Sequence, residues 1–313
     1  MTAVLGLDTS NYTTSAAVYR ADGTGENESR LLSVPAGALG LRQSDALFQH
    51  VRALPERIEA LKQAGWLTGL RAVGASTAPR DVEGSYMPCF LAGVSQGRVL
   101  AQALDVPFYG CSHQQGHVAA ACWSADRLEL LEEPILSWHL SGGTTELLLV
   151  EPGECLPMVT RIGGTEDISA GQLIDRTGQK LGVAFPAGKG LDALAAASDS
   201  GEHFPVRLRG LKFSLSGVEN QVQKRIDTGA RPEDVARFAL NTVADTVRRV
   251  TEAALRDYPG LPVVFSGGVA SNRLLRRAME GAVFAAPEFS TDNAMGVAIL
   301  TMRALERKGE SQA

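Results

Sequence analysis

Cysteine is sparse in this chain: Cys89, Cys111, Cys122 and Cys155 are widely scattered and form no Cys-x-x-Cys pair. That argues against a disulfide framework or a cysteine zinc site and in favour of reduced thiols. No apolar run is long enough to span a bilayer. The opening MTAVLGLDTS has no basic region before it becomes strand-like, so no signal peptide is expected and the chain reads as cytoplasmic. Positive charge is not in excess either. A formal net charge of −5 excludes a protein that wraps nucleic acid with its whole surface, while leaving room for a local basic patch. The candidates are Arg207, Arg209 and Lys212 in RLRGLKF, and Arg273, Arg276 and Arg277 in NRLLRR, although such runs are more often solvated helix faces.

The 313 residues exceed what one hydrophobic core usually supports, so two lobes or one large α/β domain are expected. AVLGLDT, SNYT and TSAAVYR read as strand, polar turn and strand, and the pattern returns in ILSWHLSGGTTELLLVEPGE. Thr13 and Thr14 sit at the first turn and Thr144 and Thr145 at the second, where backbone N–H groups can converge on one anion. Between the hairpins the sequence predicts a helix over 45–64, a strand at RAVGAST, a helix at SQGRVLAQAL and a strand at PFYG. After the second hairpin it predicts helix from 167 to 198, a long helix over 232–257, and a strand, Gly-rich turn and helix start at PVVFSGGVASNRLLRRAM. Two α/β lobes related by duplication, with a ligand between them, follow. The lobes are expected at 1–131, joined by a last helix at 293–313, and at 132–292. Three Gly-rich turns, LSGGTT, FPAGKG and FSGGVASN, suit a clasped nucleotide better than one would.

His113 and His117, four apart in a helical stretch, put two imidazoles on one face, where they form either half of a metal site or two polar surface residues. The familiar metalloprotease version needs a glutamate after the first histidine. Here Gln114 cannot take a proton, so that chemistry is excluded. A third ligand must come from elsewhere, and Asp167, Asp175 and Asp292 are available. Asp292 can equally cap the last helix.

Taken together, these segments resemble the TsaD family, also called Gcp, which transfers threonylcarbamoyl to tRNA. The family's H-x-E-G-H appears as His113-Gln-Gln-Gly116-His117 and its S-G-G-H-T as Ser141-Gly142-Gly143-Thr144-Thr145. Its T-x-D-D-A-A-G-E-A-F-D-K appears as TEDISAGQLIDR, its P-G-G-P as PAGKG, its G-G-V-x-x-N as Gly267 to Asn272, and its T-D-N-A is intact at 291–294. The resemblance implies an actin-like ATPase (ASKHA) fold of two duplicated lobes around a nucleotide. It implies that His113, His117 and Asp292 hold one divalent metal, iron or zinc. It also implies that Leu140, Ser141, Gly142, Gly143, Thr144, Asp175, Gly188 and Asn272 hold ATP, AMP or threonylcarbamoyl-AMP. The expected partners are tRNA, a protein that makes threonylcarbamoyl-AMP, and an ASKHA-fold partner subunit.

Several positions depart from the family pattern. The usual T-S-C-D-E-T is Thr9-Ser10-Asn11-Tyr12-Thr13-Thr14, Thr144 replaces histidine, and Gln115 and Gln172 each replace glutamate. The loop resembling G-P-G-L-x-G-A-L is APRDVEGSYMP. These changes describe a divergent member with a carbamoyl-type donor and a different acceptor as the alternative function. A nucleotide-binding partner subunit without catalysis is a further alternative.

Overall fold

The computed structural model describes residues 1–10, 12–34, 41–291 and 294–310. They form two compact units, one drawn from Met1–Glu133, Glu151–Val159 and Asp292–Ala313, the other from Pro134–Val150 and Thr160–Thr291. Segment 151–159, assigned by sequence to the second lobe, therefore packs with the first. It is the tip of a hairpin whose base lies in the second unit.

The first unit is built on β1 (Ala3–Asp8), β2 (Thr13–Arg20), β3 (Gly25–Leu31), β4 (Leu70–Ala78) and β5 (Phe108–Ser112), in the order β3-β2-β1-β4-β5. β1, β2 and β3 form an antiparallel meander, whereas β1, β4 and β5 run parallel. Every residue of β1 is buried, as expected of a central strand covered on both faces. Around this sheet lie α1 (Gln43–Gln63), α2 (Phe90–Ala103), α3 (His113–Ser124) and α9 (Met295–Glu310). α9 lies unusually close. A Cβ at Gly6 would strike the backbone of Ala298, one at Gly74 the side chain of Thr301, and one at Gly296 the backbone of Gly116 in α3.

The second unit contains β6 (Ile135–Leu140), β7 (Thr145–Glu151), β8 (Met158–Thr165), β9 (Lys212–Phe213), β10 (Val263–Ser266) and β11 (Val283–Phe284), in the order β11-β10-β6-β7-β8-β9. Apart from β9, this retraces the first sheet: β6 pairs antiparallel with β7 and parallel with β10, and β10 pairs parallel with β11. The helices are α4 (Ala170–Lys180), α5 (Gly188–Ala195), α6 (Ser216–Asp227), α7 (Pro232–Asp257) and α8 (Arg273–Ala278). Trp138, Phe213 and Phe265 centre its core.

The long helix forms over the predicted residues, with Pro232 at its first position, where no N–H is missed. The helix expected from Asp167 begins only at Ala170, because Ser169 takes the N-cap, and Asp167 stays outside it. α2 starts five residues earlier than SQGRVLAQAL, at Phe90. The strands β3 and β8 and the helix α6 were not read from sequence. None of the seven β3 residues is buried, so the apolar alternation that marks a half-buried strand is absent there.

Candidate metal and nucleotide sites

In the first unit the parallel strands end on one edge, the usual place for ligands in such sheets. β1 ends there at Asp8, and β5 runs through Ser112 directly into α3. A reciprocal capping box starts that helix. The Gln115 N–H donates to Ser112 Oγ (3.2 Å), and the Ser112 N–H donates to Gln115 Oε1 (2.7 Å). The first turn thus fixed, His113 and His117 face one another with their Nε2 atoms 2.9 Å apart. Asp8, 1% exposed, places Oδ2 2.8 Å from His113 Nδ1. Its Oδ1 accepts from the Ser10 N–H at 2.7 Å.

This arrangement sets the tautomer of His113. With Nδ1–H donating to the Asp8 carboxylate, the lone pair of His113 Nε2 points toward His117. Two imidazole nitrogens, each about 2.1 Å from one cation, lie about 3.0 Å apart at a right angle and about 3.4 Å apart at a tetrahedral angle. The 2.9 Å separation of the pair is near the first value and equals that of a direct hydrogen bond. Asp292, the expected third ligand, and Asn11 of the first hairpin lie outside the described residues. Among the described residues no group of three His, Cys, Asp or Glu gathers around one point. Asp167 and Asp175 belong to the second unit.

Gln115 has a second task. Its Nε2 donates to the Pro157 carbonyl at 2.7 Å, in a buried position, so one amide caps α3 and also holds segment 151–159. The glutamine that departs from the family's glutamate is therefore a structural residue here. All four cysteines are free thiols. Cys111, wholly buried, has its thiol pushed far above the usual range by desolvation, and Cys122 is raised to about 12 for the same reason.

The nucleotide candidates all fall in the second unit, linked by contacts. Leu140 ends β6, and the turn 141–144 is closed by Ser141 N–H to Thr144 O (2.8 Å) and Thr144 N–H to Ser141 Oγ (3.1 Å). α4 begins against this turn: its N-cap Ser169 donates to Gly142 O (2.7 Å), and the Ala170 N–H donates to Thr145 Oγ1 (2.8 Å). Gln172 completes a second capping box with Ser169, the counterpart of Ser112 and Gln115. One turn beyond Gly171, Asp175 accepts the Ala187 N–H at 2.8 Å and so holds the start of α5, where Gly188 lies. Burial raises the Asp175 carboxyl above its ordinary range, and the Ala187 N–H opposes the rise. Asn272 caps α8 by accepting from the N–H groups of Leu274 and Leu275, and donates to Asp192 Oδ1 at 2.8 Å. Gly142, Gly143 and Gly188 have open space where a Cβ would stand, whereas Gly267 (φ +89°) abuts the backbone of Leu140.

Asp8 and Asp192 were missed in the sequence. The signal for Asp192 was its spacing, one helical turn after Gly188. The basic run at 273–277 does not form one face: Arg276 turns inward to donate to Ala270 O and Ala285 O, and its guanidinium lies 4.7 Å from the Phe284 ring centre.

Two units repeating one five-strand pattern, each with its helices, define an actin-like ATPase fold. Full-length HypF in its phosphate- and nucleotide-bound form is similar, with a TM-score of 0.60 and 16% identity over 98% of this chain and 55% of that one. HypF from T. kodakarensis gives 0.64 and 16%, over 98% and 48%, so this chain spans about half of either. The activator of a 2-hydroxyisocaproyl-CoA dehydratase from Clostridium difficile, with bound ADPNP, gives 0.54 and 13% over 99% and 97%. At these identities the likeness is one of fold. Within that fold the chain belongs to the family of tRNA N6-adenosine threonylcarbamoyltransferases, TsaD, whose profile matches residues 44–299. Relatives bearing that name include one from Rhizobium etli, 32% identical over 94% of this chain and 87% of its own, and one from Thermus thermophilus, 31% identical over 83% and 79%. No described helix is long and apolar enough to cross a membrane.

Proposed function

We propose that this chain moves threonylcarbamoyl from threonylcarbamoyl-AMP to the N6 amine of an adenosine beside the tRNA anticodon. The observation that carries the reading is the convergence of the His113 and His117 Nε2 atoms, 2.9 Å apart, in a member of this transferase family. These two nitrogens and the Asp292 carboxylate would hold one divalent cation, iron or zinc, which when bound polarises a carbonyl or binds phosphate. Asp8 keeps His113 in the tautomer that presents Nε2. The backbone N–H groups of Gly142 and Gly143 would stabilise charge on the departing AMP. Asp175 would accept from ribose hydroxyls, and the open faces of Gly142, Gly143 and Gly188 leave the ligand room. The amine attacks the carbamoyl carbon as the bond to the AMP oxygen breaks, and the proton it releases passes to solvent. No protein nucleophile is required, so positioning and electrostatics supply the rate. The proposal includes a protein that supplies threonylcarbamoyl-AMP and an ASKHA-fold partner subunit.

The test is to incubate the full chain with threonylcarbamoyl-AMP and unmodified tRNA and to assay its nucleosides by mass spectrometry. The modified nucleoside is the expected product. Absence of product from a protein that still binds metal and nucleotide would sink the reading. A second reading keeps the donor and changes the acceptor. It is favoured by the loop 79–88, whose Arg80, Asp81 and Glu83 line, with Gln115, a cavity of about 430 Å³ in the first unit. Product formed on another amine but not on tRNA would select it.

A further inference from the structure

We infer that the exposed basic turn beside β9 in the second unit, carrying Arg207, Arg209 and Lys212, is a docking surface for the phosphate backbone of the RNA acceptor, an inference that rests on the transferase reading above. A run of charge is ordinarily a solvated helix face, but 207–212 lies on no helix. Burial alternates along 206–209. Val206 is buried and Leu208 packs against the Trp138 core, while Arg207 and Arg209 are exposed and share the outward side. Lys212, also exposed, stands directly opposite Arg209. The Arg209 N–H donates to Lys212 O at 2.8 Å, and the Lys212 N–H donates to Arg209 O at 3.2 Å. In such a pair the two side chains leave the backbone on the same side.

The backbone of this turn is held by the protein, and its charges are not. The Gly164 N–H of β8 donates to Leu211 O at 3.0 Å, and Arg249 of α7 donates to Val206 O at 2.9 Å. None of the three basic side chains makes a hydrogen bond or ion pair among the described residues. Basic residues on the adjoining elements do. Arg161 of β8 meets Glu146, Arg225 of α6 meets Glu202, and Arg249 meets Asp245. Those carboxylates are thereby occupied. Asp167 is taken up by Ser214 and by the N–H groups of Leu215 and Ser216. The exposed Glu166, whose N–H donates to Phe213 O, offsets one positive charge and leaves two.

Like charges directly opposite one another across a strand pair cost stability. Arg209 and Lys212 are so placed, and the repulsion is one that a bound anion relieves. Positive charge on a sheet edge also discourages edge-to-edge pairing, but β9 is two residues long, and a strand that short needs no such guard. The donor nucleotide has the Gly142 and Gly143 N–H groups, and small ligands take concave sites. An open, exposed surface fits instead the repeated phosphates of a polyanion. An RNA approaching a chain of net charge −5 also needs a local positive field where it lands. The surface is tied to the transfer site through Asp167, which bonds the residues after β9 and stands two positions before Ser169, the donor to Gly142 O.

The experiment measures tRNA binding across a salt series by the full-length wild type, by Arg209→Ala, and by the variant combining Arg207→Ala, Arg209→Ala and Lys212→Ala. ATP and anionic phospholipid vesicles are titrated in parallel, and thermal melting is recorded for each protein. At about 0.1 M salt Arg209→Ala should weaken tRNA binding by about fivefold, and the slope of log affinity against log salt should fall by about one. The combined variant should lose about a hundredfold, with a slope lower by about two to three. ATP affinity and the melting midpoint should stay at the wild-type values. Variants that match wild type in affinity and slope, while wild type binds and modifies tRNA, overturn this inference alone. A melting midpoint that falls together with the affinity also overturns it, by giving the charges to the fold. Loss of vesicle binding with tRNA affinity retained overturns it by giving the surface to a membrane. Failure of wild type to bind tRNA at all overturns both this inference and the transferase reading.

Discussion

Asp8 and His113 meet at 2.8 Å, Oδ2 to Nδ1, although 105 residues separate them in the chain. The contact makes the tautomer of one candidate metal ligand depend on a strand at the far end of the sequence. Asp8→Asn keeps an oxygen for the Ser10 N–H but turns an amide N–H toward His113 Nδ1, which forces the proton onto Nε2. Metal affinity, measured by chelator competition, should fall by about 10- to 100-fold while the protein stays folded. Unchanged affinity would refute the role given to Asp8.

The two capping boxes predict opposite responses to one substitution. Gln115→Glu keeps the cap oxygen but sets a carboxylate against the buried Pro157 carbonyl, in place of a 2.7 Å hydrogen bond. The loss in unfolding free energy should be about 1–3 kcal/mol. Gln172 is exposed and only caps α4. Gln172→Glu should therefore be neutral or stabilising by about 0.3–1 kcal/mol, since a negative charge suits a helix N-terminus. Denaturant titration of both variants checks the contrast.

Glycines 143 and 171 separate ligand binding from stability. A Cβ at Gly143 meets nothing within 4 Å, whereas one at Gly171 would stand 2.8 Å from Gly142 N and closer still to Ser141 O. Gly143→Ala should change stability by less than about 0.5 kcal/mol and weaken nucleotide binding measured by calorimetry. Gly171→Ala should destabilise, because overpacking costs about 1–3 kcal/mol and alanine regains at most about 1 kcal/mol in a helix. Equal nucleotide affinity in wild type and Gly143→Ala would remove the turn from the binding site.

Asp167 gives a pH signature. Burial pushes its carboxyl up, but hydrogen bonds from Ser214, the Leu215 N–H at 2.8 Å and Ser216 outweigh that and hold it well below the usual carboxylate range. A group with a depressed folded-state pKa stabilises fully above its unfolded value, about 3.9, and loses that contribution as pH falls through the folded one. The stability difference between wild type and Asp167→Asn should be constant from neutral pH to about 5 and shrink below about 4. A difference independent of pH would exclude this role for Asp167.

The duplicated strand pattern and the histidine pair were legible because both rest on short-range regularities, alternation in the hairpins and a four-residue repeat at 113 and 117. Asp8 was not legible as a partner of His113, because only the parallel pairing of β1, β4 and β5 brings their ends to one edge. Gln115 was conspicuous as a departure in the metal motif. Its role was nevertheless written locally, as serine followed three residues later by glutamine, a capping signature that occurs again at Ser169 and Gln172. Asp192 gained meaning only once α5 and α8 stood together. β3, in which no residue is fully buried, carries no apolar pattern by which a sequence could announce it.

The fit of Gly296 against the backbone of Gly116 has a bearing on how the molecule is made. The ribosome delivers the histidine helix early and the helix that seats it late, after all the strands of the second unit have emerged. Until then α3 lacks one of its walls, and the pair of imidazoles has no finished support. The support of the pair is thereby completed only at the end of biosynthesis, so pulse-labelled nascent chains truncated before α9 should be cleaved by protease around residues 113–117 more readily than the full-length chain.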